Sequence, residues 1–196
     1  NPAMLNERIM CVNGAFYGMN EIQDPSAFAS VIGPVFQYKS ARSFLYALVG
    51  SSLFSSYVSD LAKYIVLVPT AEQFEASGIR TVYSTQGLEA QGDDGWSEIS
   101  SSAKQSIVYL HSASIPSNQS SELPESGTRV VLTESPWNYW FVKDGTITCS
   151  SIFNQQLNPQ FNGEIFTPFT KLKDGSNGSA YSFDGNQLFS TESGDL

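Results

Sequence analysis

One unbroken apolar run, Tyr64-Ile65-Val66-Leu67-Val68, is closed at once by Pro69-Thr70-Ala71-Glu72-Gln73-Phe74. A short run rich in β-branched residues reads as a buried strand. Proline has no N–H to give a ladder, so the strand stops at Pro69. Thr70 is then placed as a helix N-cap, with Gln73 three residues later as its capping-box partner, and Pro69 and Phe74 occupy the staple positions of the same cap. A strand that turns straight into a capped helix is a rigid corner, and it predicts the core of one domain.

The 196 residues suffice for one domain of ordinary size plus a segment left over. The chain is 41% apolar and 13% aromatic, enough for a sizeable core, but only 15% charged. Its polar surface must therefore come mainly from Ser, Asn, Gln, Thr and Gly, a composition common in secreted and surface proteins. A net charge of −9 with ten Lys plus Arg argues against a nucleic-acid backbone or an anionic lipid surface as partner. Cys11, Cys149 and the single His111 are too few for a zinc site. A Cys11–Cys149 disulfide stays open, because Cys11 sits near the N-terminus and reads as part of a different unit. No run of 18 apolar residues spans a membrane. Asn1 in place of Met reads as a mature or trimmed chain, with any export signal upstream.

Along the chain, Ile9-Met10-Cys11-Val12, Asn13-Gly14 and Ala15–Met19 read as strand, hairpin turn and strand. Pro25 fits a helix N1 position, with Ala27, Phe28, Val31 and Ile32 as a short amphipathic turn. Ser40 is placed as the N-cap of a helix carrying Phe44, Leu45, Leu48 and Val49, and Leu53, Phe54, Tyr57, Val58 and Leu61 repeat the spacing in a second helix. Residues 84–102 lose periodicity and read as an exposed loop, with Asp93-Asp94-Gly95 as a turn. Ala103, Ile107, Val108 and Leu110 predict a helix ending near His111, followed by a polar loop over 117–127. Strands follow at 129–134, at 139–143 and 146–150 around the Asp144-Gly145 turn, at 165–167 and at 180–183. Helices in the first half and strands in the second predict an α+β fold.

The two ends of the chain echo each other. Asn13-Gly14-Ala15-Phe16-Tyr17-Gly18-Met19-Asn20 matches Asn177-Gly178-Ser179-Ala180-Tyr181-Ser182-Phe183-Asp184 in residue type. The separation is too long for a solenoid repeat and about right for a whole domain. It predicts a tandem array, with 1–24 as the tail strand of a preceding repeat plus linker, 25–190 as one complete domain and 191–196 as a tail.

These residues resemble fasciclin domains. The Tyr64 to Phe74 segment is similar to that family's first signature, an apolar strand followed by Pro-Thr, an acidic residue and an aromatic. Ile107-Val108-Tyr109-Leu110-His111 falls where the family has its central helix end, and the segment from Asn177-Gly178 to Leu188 looks like its closing signature. The stretch from Cys11 to Ile22, with Pro25, Phe28, Ser30 and Pro34, is similar to the linker in multi-domain fasciclin-like surface proteins of Bacteroidetes. The resemblance implies mixed β-sheets in a wedge or sandwich, flanked by several α-helices. It implies a secreted or outer-membrane-anchored adhesion module, no catalysis and no cofactor. Its partners would be a surface protein or polysaccharide and neighbouring domains of the same chain. It marks Pro69, Thr70, Phe74, His111, Asn177 and Gly178 as structural motif residues.

His111 reads as a structural histidine bonded to nearby backbone or to the Pro-Thr corner, since no nucleophile and orienting acid are recognisable beside it. No Gly-x-Ser-x-Gly or His-Glu-x-x-His occurs, and the carboxylates suggest no catalytic pair. Trp137, Tyr139 and Trp140 form the densest aromatic cluster. Core packing is the plain reading of these rings, and stacking on sugar or anchoring a protein partner from an exposed strand face is the sharper one. Asn118-Gln119-Ser120 and Asn177-Gly178-Ser179 match the glycosylation acceptor pattern.

Overall fold

The computed structural model describes residues 5–19 except 12 and 13, together with 25–152 and 166–190. Strands β1 (Leu5–Cys11) and β2 (Gly14–Met19) pair antiparallel in a sheet of their own. The turn residues Val12 and Asn13 lie outside the described residues. So does the side chain of Cys11, and with it any Cys11–Cys149 pairing. The tail at 191–196 lies outside them too.

Six helices follow in the described chain: α1 (Ser26–Ala29), α2 (Pro34–Gln37), α3 (Arg42–Gly50), α4 (Phe54–Val58), α5 (Ala71–Ala76) and α6 (Ser101–Leu110). Pro25 is the N-cap of α1, one position earlier than its expected N1. Ser40 does not cap α3. It lies in a single 3-10 turn, Lys39–Ala41, and Ala41 takes the cap position. The Ala41 N–H donates to Tyr38 O at 3.0 Å, so the chain enters the helix through backbone bonds. The second stripe also falls short, for α4 ends at Val58 and Leu61 stands 97% exposed. Asn177 Nδ2 donates to the carbonyls of Tyr57 and Ser59, which the end of α4 would otherwise leave unpaired.

The strands of the core are β3 (Lys63–Leu67), β7 (Ser112–Ile115), β8 (Thr128–Leu132), β9 (Asn138–Lys143), β10 (Thr146–Ser151), β11 (Thr167–Gly175) and β12 (Gly178–Phe183). They form one seven-stranded sheet in the order β7-β3-β12-β11-β10-β9-β8. The β3–β12 pair is parallel and all others are antiparallel. The β9–β10 hairpin turns at Asp144 and Gly145, both with positive φ, as a two-residue turn of Asp-Gly type requires. The strand expected at 165–167 begins at Thr167 and runs on to Gly175, while Ile165 lies outside the described residues.

β10 and β11 share only two residue pairs, so the sheet has a narrow waist. Ile65, Leu67, Tyr181 and Phe183 from one side of the waist share a buried cluster with Val131, Trp140, Val142 and Ile147 from the other. The opposite faces of β3 and β12, carrying Val66 and Ala180, pack with Val68 into a second cluster that includes Phe44, Leu48, Phe74, Ile107 and Val108 of the helices. The alternation of β3 thus feeds two cores, which explains why the run from Tyr64 to Val68 is apolar without a break. The fold is α+β: a mixed sheet flanked by helices.

Residues 84–102 are not the expected loop. β4 (Ile79–Val82), β5 (Gly87–Gly92) and β6 (Gly95–Glu98) make a separate three-stranded antiparallel sheet. Its outer strand β6 is exposed at every position, so neither face leaves a hydrophobic alternation to read. Asp93 and Asp94 do form the expected turn, leading into Gly95 at φ +106°. Leu88 and Ile79 enter the helix-side core, and Lys104 Nζ on α6 meets Glu98 Oε1 at 3.0 Å. These contacts hold the small sheet against the helices.

Candidate functional site

The motif residues converge on strand β12. Thr70 caps α5 in a complete capping box: its N–H donates to Gln73 Oε1 at 2.8 Å and its Oγ1 accepts from the Gln73 N–H. Pro69 and Phe74 are buried on either side of that cap. Gln73 does more than close the box. Its Nε2 donates to Phe183 O at 2.9 Å and Gly185 O at 2.6 Å, tying the corner to the end of β12.

Asn177 and Gly178 open β12. Asn177 Oδ1 accepts from the Val31 N–H at 2.8 Å while its Nδ2 holds the end of α4, and its carbonyl accepts from the Tyr64 N–H. The side chain thereby ties Val31 to the end of α4, and the backbone of the same residue holds the entry to β3. With its side chain buried and bonded on both ends, Asn177 is a structural tie, whatever acceptor pattern it matches. Gly178 sits at φ +143°, and a Cβ there would lie 1.8 Å from Tyr64 O. Only glycine lets β12 approach β3 this closely.

His111 follows the C-terminus of α6 and is fully buried. Its Nδ1 lies 2.8 Å from Ile107 O, and its Nε2 is 3.1 Å from the Phe189 nitrogen. The Phe189 N–H needs a lone pair, so the proton of the neutral ring sits on Nδ1 and donates to Ile107 O. Its bonds go to its own helix and to the C-terminal segment, and none goes to the Pro-Thr corner. Phe183 and Phe189 stack on the ring at 5.7 and 5.3 Å. Burial pushes the imidazole down to about 4, against a smaller opposing pull from the Ile107 carbonyl.

The aromatic cluster divides. Trp140 is wholly buried, and its Nε1 donates to Leu110 O at 2.9 Å. Tyr139 is buried as well. The sugar-stacking strand expected from Trp137 to Trp140 is therefore corrected for these two rings, whose faces are spent on protein. Trp137 precedes β9 and is 55% exposed.

Trp137 lies on a groove of about 550 Å³ bounded by α5, α6 and residues 187–190. Ile107, Leu110 and Leu188 are its buried apolar residues, and Tyr109, Ser106 and Gln187 are among its polar lining residues. None of its described lining residues is charged. Sequence reasoning found Trp137 but missed Tyr109, Ser106, Ser77 and Gln187 as its neighbours, because they come from three distant segments. Among the described residues, no three His, Cys, Asp or Glu side chains are grouped to hold a metal ion. No described helix is long and apolar enough to cross a membrane. No family model matches the chain, and no curated protein matches it.

Proposed function

We propose that this chain is a non-catalytic, fasciclin-like adhesion or binding module of a multi-domain surface protein. The observation that carries the reading is the convergence of three signature segments on one buried strand. Thr70–Gln73, His111 and Asn177 all spend their polar groups on internal ties around β12. Such residues serve as scaffold, and recognition is left to the surface around them. The ligand classes that the resemblance implies are a surface protein and a polysaccharide, met outside the cell on a protein anchored through a segment beyond this chain.

The echo between the chain ends supports the array reading. Cys11 pairs with Gly14 across one hairpin, and Gly175 pairs with Gly178 across the other. In both, two residues of sequence, the second of them Asn, lie between the paired positions, Gly opens the second strand, and the first strand carries a register shift. In this reading the N-terminal hairpin belongs to a preceding repeat.

Two measurements test the proposal. The immobilised chain is expected to bind at least one extracellular-matrix protein or surface polysaccharide in a solid-phase screen. Failure across both classes overturns the module reading. Deleting residues 1–24 is expected to shift the melting temperature by less than about 2 °C. A drop well beyond that makes the hairpin part of this domain and removes the array reading.

A further inference from the structure

We propose that the exposed aromatic face of α1 and α2 is the docking surface for the preceding repeat, which packs there through the acidic end at which its chain leaves. This interface rests on the reading of the chain as one repeat of an array, and it gives that reading a contact surface.

α1 is short and uncharged, Ser26-Ala27-Phe28-Ala29, and it buries none of its residues. Phe28 stands 39% exposed. Its ring meets Phe36 of α2 at 5.0 Å, and Phe36 meets Phe54 of α4 at 6.0 Å. Phe36 and Phe54 are half-buried, so the three rings lead from the core out to Phe28 at the surface. The helix itself is held in place. The Ser176 N–H donates to Ala29 O at 2.8 Å, and Lys173 Nζ donates to Phe28 O. β11 and the turn after it thus fix α1 by its carbonyls. An aromatic anchor on a fixed helix loses little freedom on docking.

Chain continuity selects the occupant. Six residues, Asn20 to Pro25, join β2 to α1. Fully extended they reach about 20 Å, whereas a domain of this size is about 40 Å across. A body that ends in the β1–β2 hairpin therefore lies beside α1. So short a connection also gives a high effective concentration, and a modest interface then suffices.

Charge points the same way. Residues 25–59 contain Lys39 and Arg42 and no acid, while residues 60–196 carry 16 acids against 7 basic residues. Lys39 and Arg42 are exposed, and Lys173 lies against α1. Among the described residues, none of these three cations takes part in an ion pair. The connection that arrives from the preceding repeat brings Glu21 and Asp24 and no base. The end of this chain is of the same kind, with Asp184, Glu192 and Asp195 and no base from Asp184 onwards. A copy of the chain can therefore stand in for the preceding repeat. Two copies packed through the same face would instead set these cations against their equivalents.

The test is a two-repeat protein made of this chain alone, residues 1–190 joined to 27–196. Ser190 and Ser26 each stand six residues beyond the matched Asp184 and Asn20, so the junction keeps the register of the echo. The tandem is expected to melt about 4 °C above the single chain and to tumble as one body in NMR relaxation. Phe28→Asp in the second repeat should abolish the gain and let the repeats tumble independently. The same change in the first repeat, which has no complete repeat before it, should leave the coupling intact. In the single chain it should shift the melting temperature by less than about 2 °C, because α1 buries nothing. Ala29→Glu, on the same exposed helix, keeps the test valid if Phe28→Asp fails to fold. A tandem that melts with the single chain and tumbles as two bodies overturns the proposal. So does a gain that survives both substitutions in the second repeat. Deleting residues 1–24 separates the two readings. A large loss of melting temperature there removes the array and the interface together, while a neutral deletion beside an uncoupled tandem removes the interface and keeps the array.

Discussion

The region around β12 and the three-stranded sheet β4–β6 use polar residues in opposite ways. Around β12, Asn177, Gln73 and His111 are buried and join segments more than 70 residues apart through paired donors and acceptors. In the small sheet, Arg80 and Glu89 pair across exposed strands at 2.6 Å, and the Arg80 guanidinium lies 4.4 Å over the Trp96 ring. The difference teaches where a substitution will be felt. A buried tie loses its bonds and leaves partners stranded in a dry core, whereas an exposed pair is replaced by water.

Gly178→Ala should sharpen that contrast most. The new Cβ would collide with the Tyr64 carbonyl and force a positive φ on a residue that resists it. The expected loss exceeds about 4 kcal/mol, measured by urea unfolding, and a loss under about 1 kcal/mol would show that β12 can move away from β3 without penalty.

Acid should probe the same region through His111. The folded imidazole is held near 4, below its ordinary value of 6.5, so the unfolded chain binds the extra proton first. The stability conferred by the neutral ring is full above about pH 6.5 and falls as pH drops towards 4. The loss is on the order of 3 kcal/mol across that window. In His111→Gln this part of the pH dependence should vanish. An unchanged acid limb in that variant would assign the loss to carboxylates instead.

Thr70→Ala removes one side of the capping box. The expected cost is about 1 kcal/mol, because the Gln73 bonds to Phe183 and Gly185 survive. A much larger loss would mean that the cap also positions Gln73. Arg80→Ala should be the mildest change. Its exposed ion pair and ring contact together contribute less than about 1 kcal/mol, and that part should shrink further in high salt. A loss as large as that of Gly178→Ala would erase the distinction between the two regions.

Legibility in the sequence followed the range of the interactions. The capping box spans four residues, the Asp144-Gly145 turn two, and the His111 Nδ1 bond five. Each was readable, since the residues that make it are neighbours in the chain. Ser40 misled because a 3-10 turn delivered the chain to α3 already bonded. The small sheet was hidden by β6, whose residues face water on both sides and carry no alternation.

By itself, then, the sequence determined the corner at Pro69 and Thr70, the α+β class and the Asn-Gly opening of β12. These depend on proline's missing N–H, on short-range capping and on turn chemistry. Only the tertiary structure decided between Trp137 and Trp140, three residues apart and alike in chemistry. One is enclosed by strands from both sides of the sheet's waist, and the other stands at a groove built from distant segments. Burial is set by what the rest of the chain brings alongside, and no local pattern carries that information. The same holds for Asn177, whose three side-chain bonds reach residues 118 to 146 positions away.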